Sequence, residues 1–126
     1  MLVETSLREV PLAEVPAAAR LAEELGFDAL TASEVRQDPF LVVALMATAT
    51  ERVQLATSVA IAFPRSPMIV AYTARNLQDL SNGRFSVGLG TQVKRHVERR
   101  FSARWGAPGP HLREYVLSLR AIWDCW

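Results

Sequence analysis

Four short apolar segments recur along the chain, each followed by a stretch with helical spacing: Leu2–Leu7, Phe27–Ala32, Val53–Ala60 and Phe85–Leu89. This recurrence constrains the fold more than any other feature. Strands joined by crossovers long enough for a helix build parallel βα units. The segments are near-continuous apolar runs rather than strict alternations, as expected of strands covered on both faces. The punctuation agrees. A first helix starts between Pro11 and Pro16, because Pro16 fits only in a first turn, and it would bury Val15, Ala18, Ala19, Ala22 and Leu25 before Gly26 ends it. Asp38-Pro39 and Ser66-Pro67 each pair a capping side chain with proline at the first helical position. The helix opened by Ser66-Pro67 would run to about Ser81 and stop at Asn82-Gly83. A last helix follows Pro108-Gly109-Pro110, with Leu112, Tyr115, Val116, Leu119, Ile122 and Trp126 along one stripe.

The expected fold class is therefore α/β, with four parallel βα units in a row and no linker. Such units form either a small open sheet or half of an eight-fold (β/α)8 barrel, a fold of about 250 residues. The chain's 126 residues, 50% of them hydrophobic, and an end inside an apolar helix at Trp126 favour the half-barrel, about the first four units of eight, as a single domain over 1–126. An open Rossmann-like sheet is the alternative, and would need a reversal of strand order beside Gly88.

Composition narrows the function classes. A net charge of +1 argues against a coat for nucleic acid, and no nucleic-acid partner is expected. The longest apolar run, Phe40 to Ala47, is far short of a bilayer span, so no membrane partner is expected either. One cysteine, Cys125, and two histidines, His96 and His111, leave little for a disulfide framework or a metal site, and fit a cytoplasmic protein.

In α/β folds chemistry sits where strands give way to the loops that follow. Glu34 stands at such a place with no capping role, and a functional contact and an ion pair with Arg36 or Arg65 are equally open to it. Asp38 is better read as a helix cap. Gly88-Leu89-Gly90 opens like a dinucleotide fingerprint, but Val93 stands where its third glycine belongs, so the glycines serve close approach to a flat ligand or tight packing. Lys94, Arg95, Arg99, Arg100 and Arg104 face Glu98 alone, which polarises the charge. Val93, Val97, Phe101 and Trp105 recur every fourth residue there, as on a short amphipathic helix whose basic face is either solvated or attractive to an anionic ligand tail. Ser86 lacks the setting of a nucleophile, and both histidines read as structural.

Taken in order, several runs resemble one family. They are Glu23-Glu24-Leu25-Gly26-Phe27-Asp28, Ser33-Glu34, Asp38-Pro39-Phe40, Leu55-Ala56-Thr57-Ser58-Val59, Phe63-Pro64-Arg65-Ser66-Pro67, Leu80-Ser81-Asn82-Gly83-Arg84-Phe85, Gly88-Leu89-Gly90-Thr91-Gln92-Val93 and Arg113-Glu114-Tyr115 onward. Together they resemble the luciferase-like monooxygenases, in the branch that uses the deazaflavin coenzyme F420. The resemblance implies a (β/α)8 barrel and hydride transfer to or from a small-molecule substrate, or oxygen activation in relatives that use FMN. It implies that Ser58 and Val59 back the cofactor ring at a bulge after strand three, often through a non-proline cis peptide. Gly90, Thr91 and Gln92 match the strand-four edge beside the ring, and Glu34 matches the acidic residue after strand two. Val35 departs from relatives with histidine at that place, so no role resting on that histidine carries over. Alone, the chain is expected to bind cofactor weakly, turn nothing over and associate as a homo-oligomer. The competing expectation is an inactive half-barrel that acts only through self-association.

Overall fold

The computed structural model describes Met1–Trp126 as β1 (Glu4–Ser6), α1 (Val15–Glu24), β2 (Ala29–Ala32), α2 (Pro39–Ala49), β3 (Gln54–Thr57), β4 (Ala60–Ile61), α3 (Pro67–Leu80), β5 (Phe85–Ser86), β6 (Leu89–Gly90), α4 (Lys94–Phe101) and α5 (Pro108–Asp124). Internal contacts group into two units. The first holds Met1–Ala60 and Ala74–Gly88, the second Ile61–Thr73 and Leu89–Trp126.

The first unit contains a four-stranded sheet in the order β1-β2-β3-β5, parallel at every pairing. Sequential neighbours with no reversal give the order of a barrel wall, not of a Rossmann sheet. Leu30 and Leu55 face each other in the β2–β3 register, and both are fully buried. Helix α2 is apolar nearly all round and buries Pro39, Phe40, Val42, Val43, Met46 and Ala47, as a helix does when little of it meets water. Its start follows from sequence: Asp38 is extended, its carboxylate accepts from Phe40 N at 2.9 Å, and Pro39 opens the first turn.

Three expectations need correction. The segment Val53–Ala60 is two strands, β3 and β4, broken at Ser58-Val59, and Phe85–Leu89 is likewise divided into β5 and β6. The cause is nonlocal and lies in the Thr57–Gly88 packing described below. The first strand begins at Glu4, leaving Leu2 exposed, with Val3 anchored instead by its N–H on Asp28 Oδ2 at 2.7 Å. Leu25 does not join the buried stripe of α1. It caps the helix a turn beyond the last buried residue, Ala22, and is exposed, while Gly26 turns the chain at φ 88°.

Two polar devices tie α/β connections down in this unit. The Glu23 carboxylate accepts the backbone N–H groups of Glu51, Arg52 and Val53 at 2.7–3.2 Å, closing the turn between α2 and β3. Partial burial pushes the Glu23 pKa up, but the three N–H donors and the nearby Arg52 outweigh it and hold it below its ordinary 4.5. The folded value is depressed, so this stability is present above the unfolded pKa and is lost as pH falls through the folded one. Glu23→Gln should therefore cost about 1 kcal/mol near neutrality. The gap from wild type should narrow as pH falls through the depressed folded pKa of Glu23, below its ordinary value, in urea titrations across pH.

Arg84, 9% exposed, is the second device. Its guanidinium donates to the carbonyls of Ser81, Val53, Ala47 and Thr50 and to Thr50 Oγ1, at 2.8–3.3 Å.

The second unit packs Ile61, Ala62, Val70, Ala71, Val97, Tyr115 and Leu119. Ala62 N donates to Gly90 O at 2.9 Å in the short β4–β6 ladder. Phe63 stacks on His111 at 4.1 Å and meets Trp105 edge-on at 5.6 Å. Burial pushes the Tyr115 hydroxyl up to about 12, against the opposing pull of Arg65, and keeps it protonated at physiological pH. Val93 and Ser102 bound helix α4, and Val97 is its buried anchor. No helix is long and apolar enough to cross a membrane.

Candidate active site

In the first unit the carboxyl ends of β2 and β3 are laced together just past their last paired residues, Ala32 and Thr57. Ser58 N donates to Ala32 O at 2.7 Å, and Glu34 N to Val59 O at 3.3 Å. The Ser33 hydroxyl donates to Ser58 O at 2.7 Å. The Ser58–Val59 peptide is cis, as the resemblance implied. Ser58 and Val59 are both exposed, and Glu34, half-buried, follows on the adjoining segment. Three of the expected site residues, Glu34, Ser58 and Val59, thus belong to one hydrogen-bonded patch at a strand end. Arg36 reaches Glu9 at 3.6 Å, so the ion pair considered between Glu34 and Arg36 gives way to that one.

The break in strand three has a physical origin at Thr57 and Gly88. The Thr57 hydroxyl donates to Gly88 O at 2.8 Å and accepts from Gly88 N at 2.9 Å. Gly88 O also takes the N–H of Ala60 at 2.9 Å. A Cβ on Gly88 would run into the Thr57 carbonyl oxygen. This decides between the two readings of that glycine: it serves tight packing of strand on strand. Sequence reasoning named Gly88 without its partner and passed over Thr57 and Ser33 as site-forming residues. The available signal was a hydroxyl residue closing an apolar strand, next to a pair of small polar residues.

In the second unit Gly90 closes β6, and Thr91 and Gln92 follow it, all half-buried. Gln92 lies at φ 59°, a left-handed turn in which its side-chain Oε1 accepts from Val93 N at 3.0 Å. That turn leads directly into α4.

A flat conjugated cofactor needs an apolar backing and polar groups at its rim. In the first unit Val59, an exposed apolar side chain at a strand's carboxyl end, is chemically suited to the backing, and Ser58 and Glu34 beside it supply rim chemistry. The residues present fit such a group.

Parallel βα order defines an α/β fold, with a polar patch at the strand ends of its first unit. The chain belongs to the luciferase-like monooxygenase family, which it matches over residues 2–125. Rv1360 of Mycobacterium tuberculosis is 48% identical over 115 residues, covering 91% of this chain and 34% of that protein. Rv3520c of the same organism, provisionally named a coenzyme F420-dependent oxidoreductase, is 37% identical over 103 residues, 81% of this chain and 30% of that one. The chain thus spans about a third of the length of these relatives. Among solved structures, the FMN-bound oxygenating constituent of 3,6-diketocamphane monooxygenase from Pseudomonas putida superposes with a TM-score of 0.81 at 20% identity, over 96% of this chain and 40% of that one. The coenzyme F420-dependent tetrahydromethanopterin reductase of Methanopyrus kandleri gives 0.77 at 18% identity, over 90% and 38%. At these identities the two structures establish the fold alone.

Proposed function

We propose that residues 1–126 form the first four units of a (β/α)8 oxidoreductase that binds coenzyme F420, with FMN as the alternative, and acts on a small-molecule substrate in the cytoplasm. The observation that carries this reading is the laced patch of Ser33, Glu34, Ser58 and Val59 at adjacent strand ends, in a chain of this family. When bound, the cofactor supplies hydride chemistry, or oxygen activation on a reduced flavin. The chain's own residues supply position. In the first unit, Ser58-Val59 backs the ring, held in place by the Ser33 hydroxyl and Glu34 N–H. In the second, Gly90, Thr91 and Gln92 line a ring edge. Glu34 is the residue assigned to catalysis, as a polar contact that holds or moves a proton at its carboxylate.

The test is a variant that separates chemistry from folding. In the complete barrel, Glu34→Gln should lower turnover about a hundredfold or more, the low end of what a proton-handling group contributes. Its melting temperature should stay within about 2 °C of wild type. A fall in melting temperature with turnover per folded molecule unchanged would make Glu34 a structural residue.

A second reading, self-association of the chain as given, is favoured by two observations. Strands β1 and β5 each pair on one side only within their sheet. In the second unit an open apolar groove runs along α5, lined by Gly109, Leu112, Val116 and Leu117 and rimmed by Arg113 and Arg120. In the half-barrel reading these are surfaces that further units would cover. Without them, exposed edges recruit a second copy. Sedimentation of the 126-residue chain should find a dimer, and a well-folded monomer that binds cofactor at micromolar affinity would refute this second reading.

A further inference from the structure

Helix α4 spends stability on its charge. It carries Lys94, Arg95, Arg99 and Arg100 in eight residues, with Glu98 as its only acid. Glu98 is engaged by Lys94 at 3.9 Å. Arg95 and Arg99 stand one turn apart with no acidic partner, and like charges at that spacing disfavour a helix. Lys94 and Arg95 also occupy the first turn, which holds no acid and whose start has no side-chain cap, so the backbone dipole opposes them. All these cations are exposed, and the helix is fastened by one fully buried residue, Val97. Thus the helix, about 12 Å long, is pinned on its apolar side by Val97 while Arg95 and Arg99 stand exposed on its basic side.

The position of this face matters as much as its charge. Its first residue lies two places after Gln92, at the end of the segment proposed above as a ring edge. We infer that the basic face of α4 docks the anionic tail of the bound cofactor, a flexible chain of several carboxylates and a phosphate, with Arg95 and Arg99 as its principal contacts. This deepens the cofactor reading and rests on it. A row of cations spread over two helical turns suits an extended polyanion better than the single phosphate of FMN, and so favours the deazaflavin that bears such a chain. A duplex or a single strand of nucleic acid is less suited, because the aromatic residues of this stretch, Phe101 and Trp105, are half-buried rather than exposed as a stacking platform.

The test uses the full chain and four probes: F420 carrying several glutamates, the deazaflavin lacking phosphate and glutamates, a free oligo-γ-glutamate, and a single-stranded oligonucleotide. In about 0.05 M salt the tailed cofactor should bind about tenfold more tightly than the tailless one, and the advantage should fall to about twofold in about 0.5 M salt as screening sets in. The exposed double variant Arg95→Gln/Arg99→Gln should lose about fivefold in affinity for the tailed cofactor and leave the tailless one unchanged. Arg95→Lys/Arg99→Lys should restore most of it, and the free oligo-γ-glutamate should compete with the tailed cofactor only. Equal affinity for tailed and tailless forms, with both binding, would overturn the docking role and leave the cofactor reading intact. Binding of neither would overturn both. Tighter binding of the oligonucleotide than of the oligo-γ-glutamate, abolished by the glutamine variant, would also overturn it.

Discussion

Replacing Arg84 by methionine should cost about 4 kcal/mol, a large share of the stability of a domain that is held by about 5–15 kcal/mol in all. The methionine keeps the apolar stem and removes the fork. Its loss leaves the carbonyls of Ala47, Thr50, Val53 and Ser81 without the donor they share, all of them in buried surroundings. Each orphaned acceptor costs about 1–3 kcal/mol, less where relaxation or water can reach it. The cation has no carboxylate partner. Its positive charge is matched instead by carbonyl oxygens at the ends of α2 and α3, where the helix dipoles are negative. Arg84→Lys should recover less than half of the loss, because an ammonium cannot donate to groups spread around a planar fork. Urea unfolding monitored by far-UV circular dichroism measures both variants. A methionine variant within 1 kcal/mol of wild type, roughly the effect of an ordinary surface change, would mean that Arg84 is dispensable to the fold.

Arg84 also marks the boundary of what the sequence discloses. Its partners are main-chain carbonyls, which no residue pattern announces, so it could be singled out only as part of the run Leu80-Ser81-Asn82-Gly83-Arg84-Phe85 that carries the family resemblance. Local devices were legible. Asp38-Pro39 and Ser66-Pro67 start helices as expected, since capping is decided within four residues: Asp38 bonds Phe40 N, and Ser66 Oγ accepts from Met68 N at 3.3 Å. Gly26 and the Asn82-Gly83 pair end helices at positive φ for equally local reasons. The apolar pattern did not disclose the strand breaks; the resemblance alone implied a bulge at Ser58-Val59, and the bonds there join Thr57 and Gly88, residues 31 positions apart. At the candidate site, Glu34 could be placed after a strand from the sequence pattern, while the roles of Ser58 and Val59 came from the family resemblance. The Ser33 hydroxyl that ties two of those ends together became visible only once β2 and β3 were in register.

Gly88→Ala should be nearly as damaging as the loss of Arg84, and its signature should differ. The added methyl meets a backbone carbonyl, that of Thr57, rather than the movable end of a side chain, so strand β3 or the segment after β5 must shift. Overpacking that forces backbone movement costs about 3 kcal/mol. The shift falls on the bonds that define the site. Gly88 N and O hold the Thr57 hydroxyl, and Gly88 O also holds Ala60 N, the first residue after the Ser58-Val59 break. Displacing them should loosen Val59 and Glu34 together, because Glu34 N bonds Val59 O. Thr57→Val separates the two effects. It keeps the shape and removes only the hydroxyl, leaving Gly88 N without its acceptor, and should cost about 1.5 kcal/mol with the Gly88–Thr57 spacing preserved. Cofactor affinity per folded molecule should therefore fall at least tenfold in Gly88→Ala and about threefold or less in Thr57→Val, a difference of about 0.7 kcal/mol or more on the binding scale. Hydrogen exchange at Ala60 and Glu34 amides should rise in both variants and most in Gly88→Ala. If Gly88→Ala loses stability while those amides stay protected and affinity is unchanged, the glycine serves the core alone, and the strand-end patch is held by β2 and β3 without it.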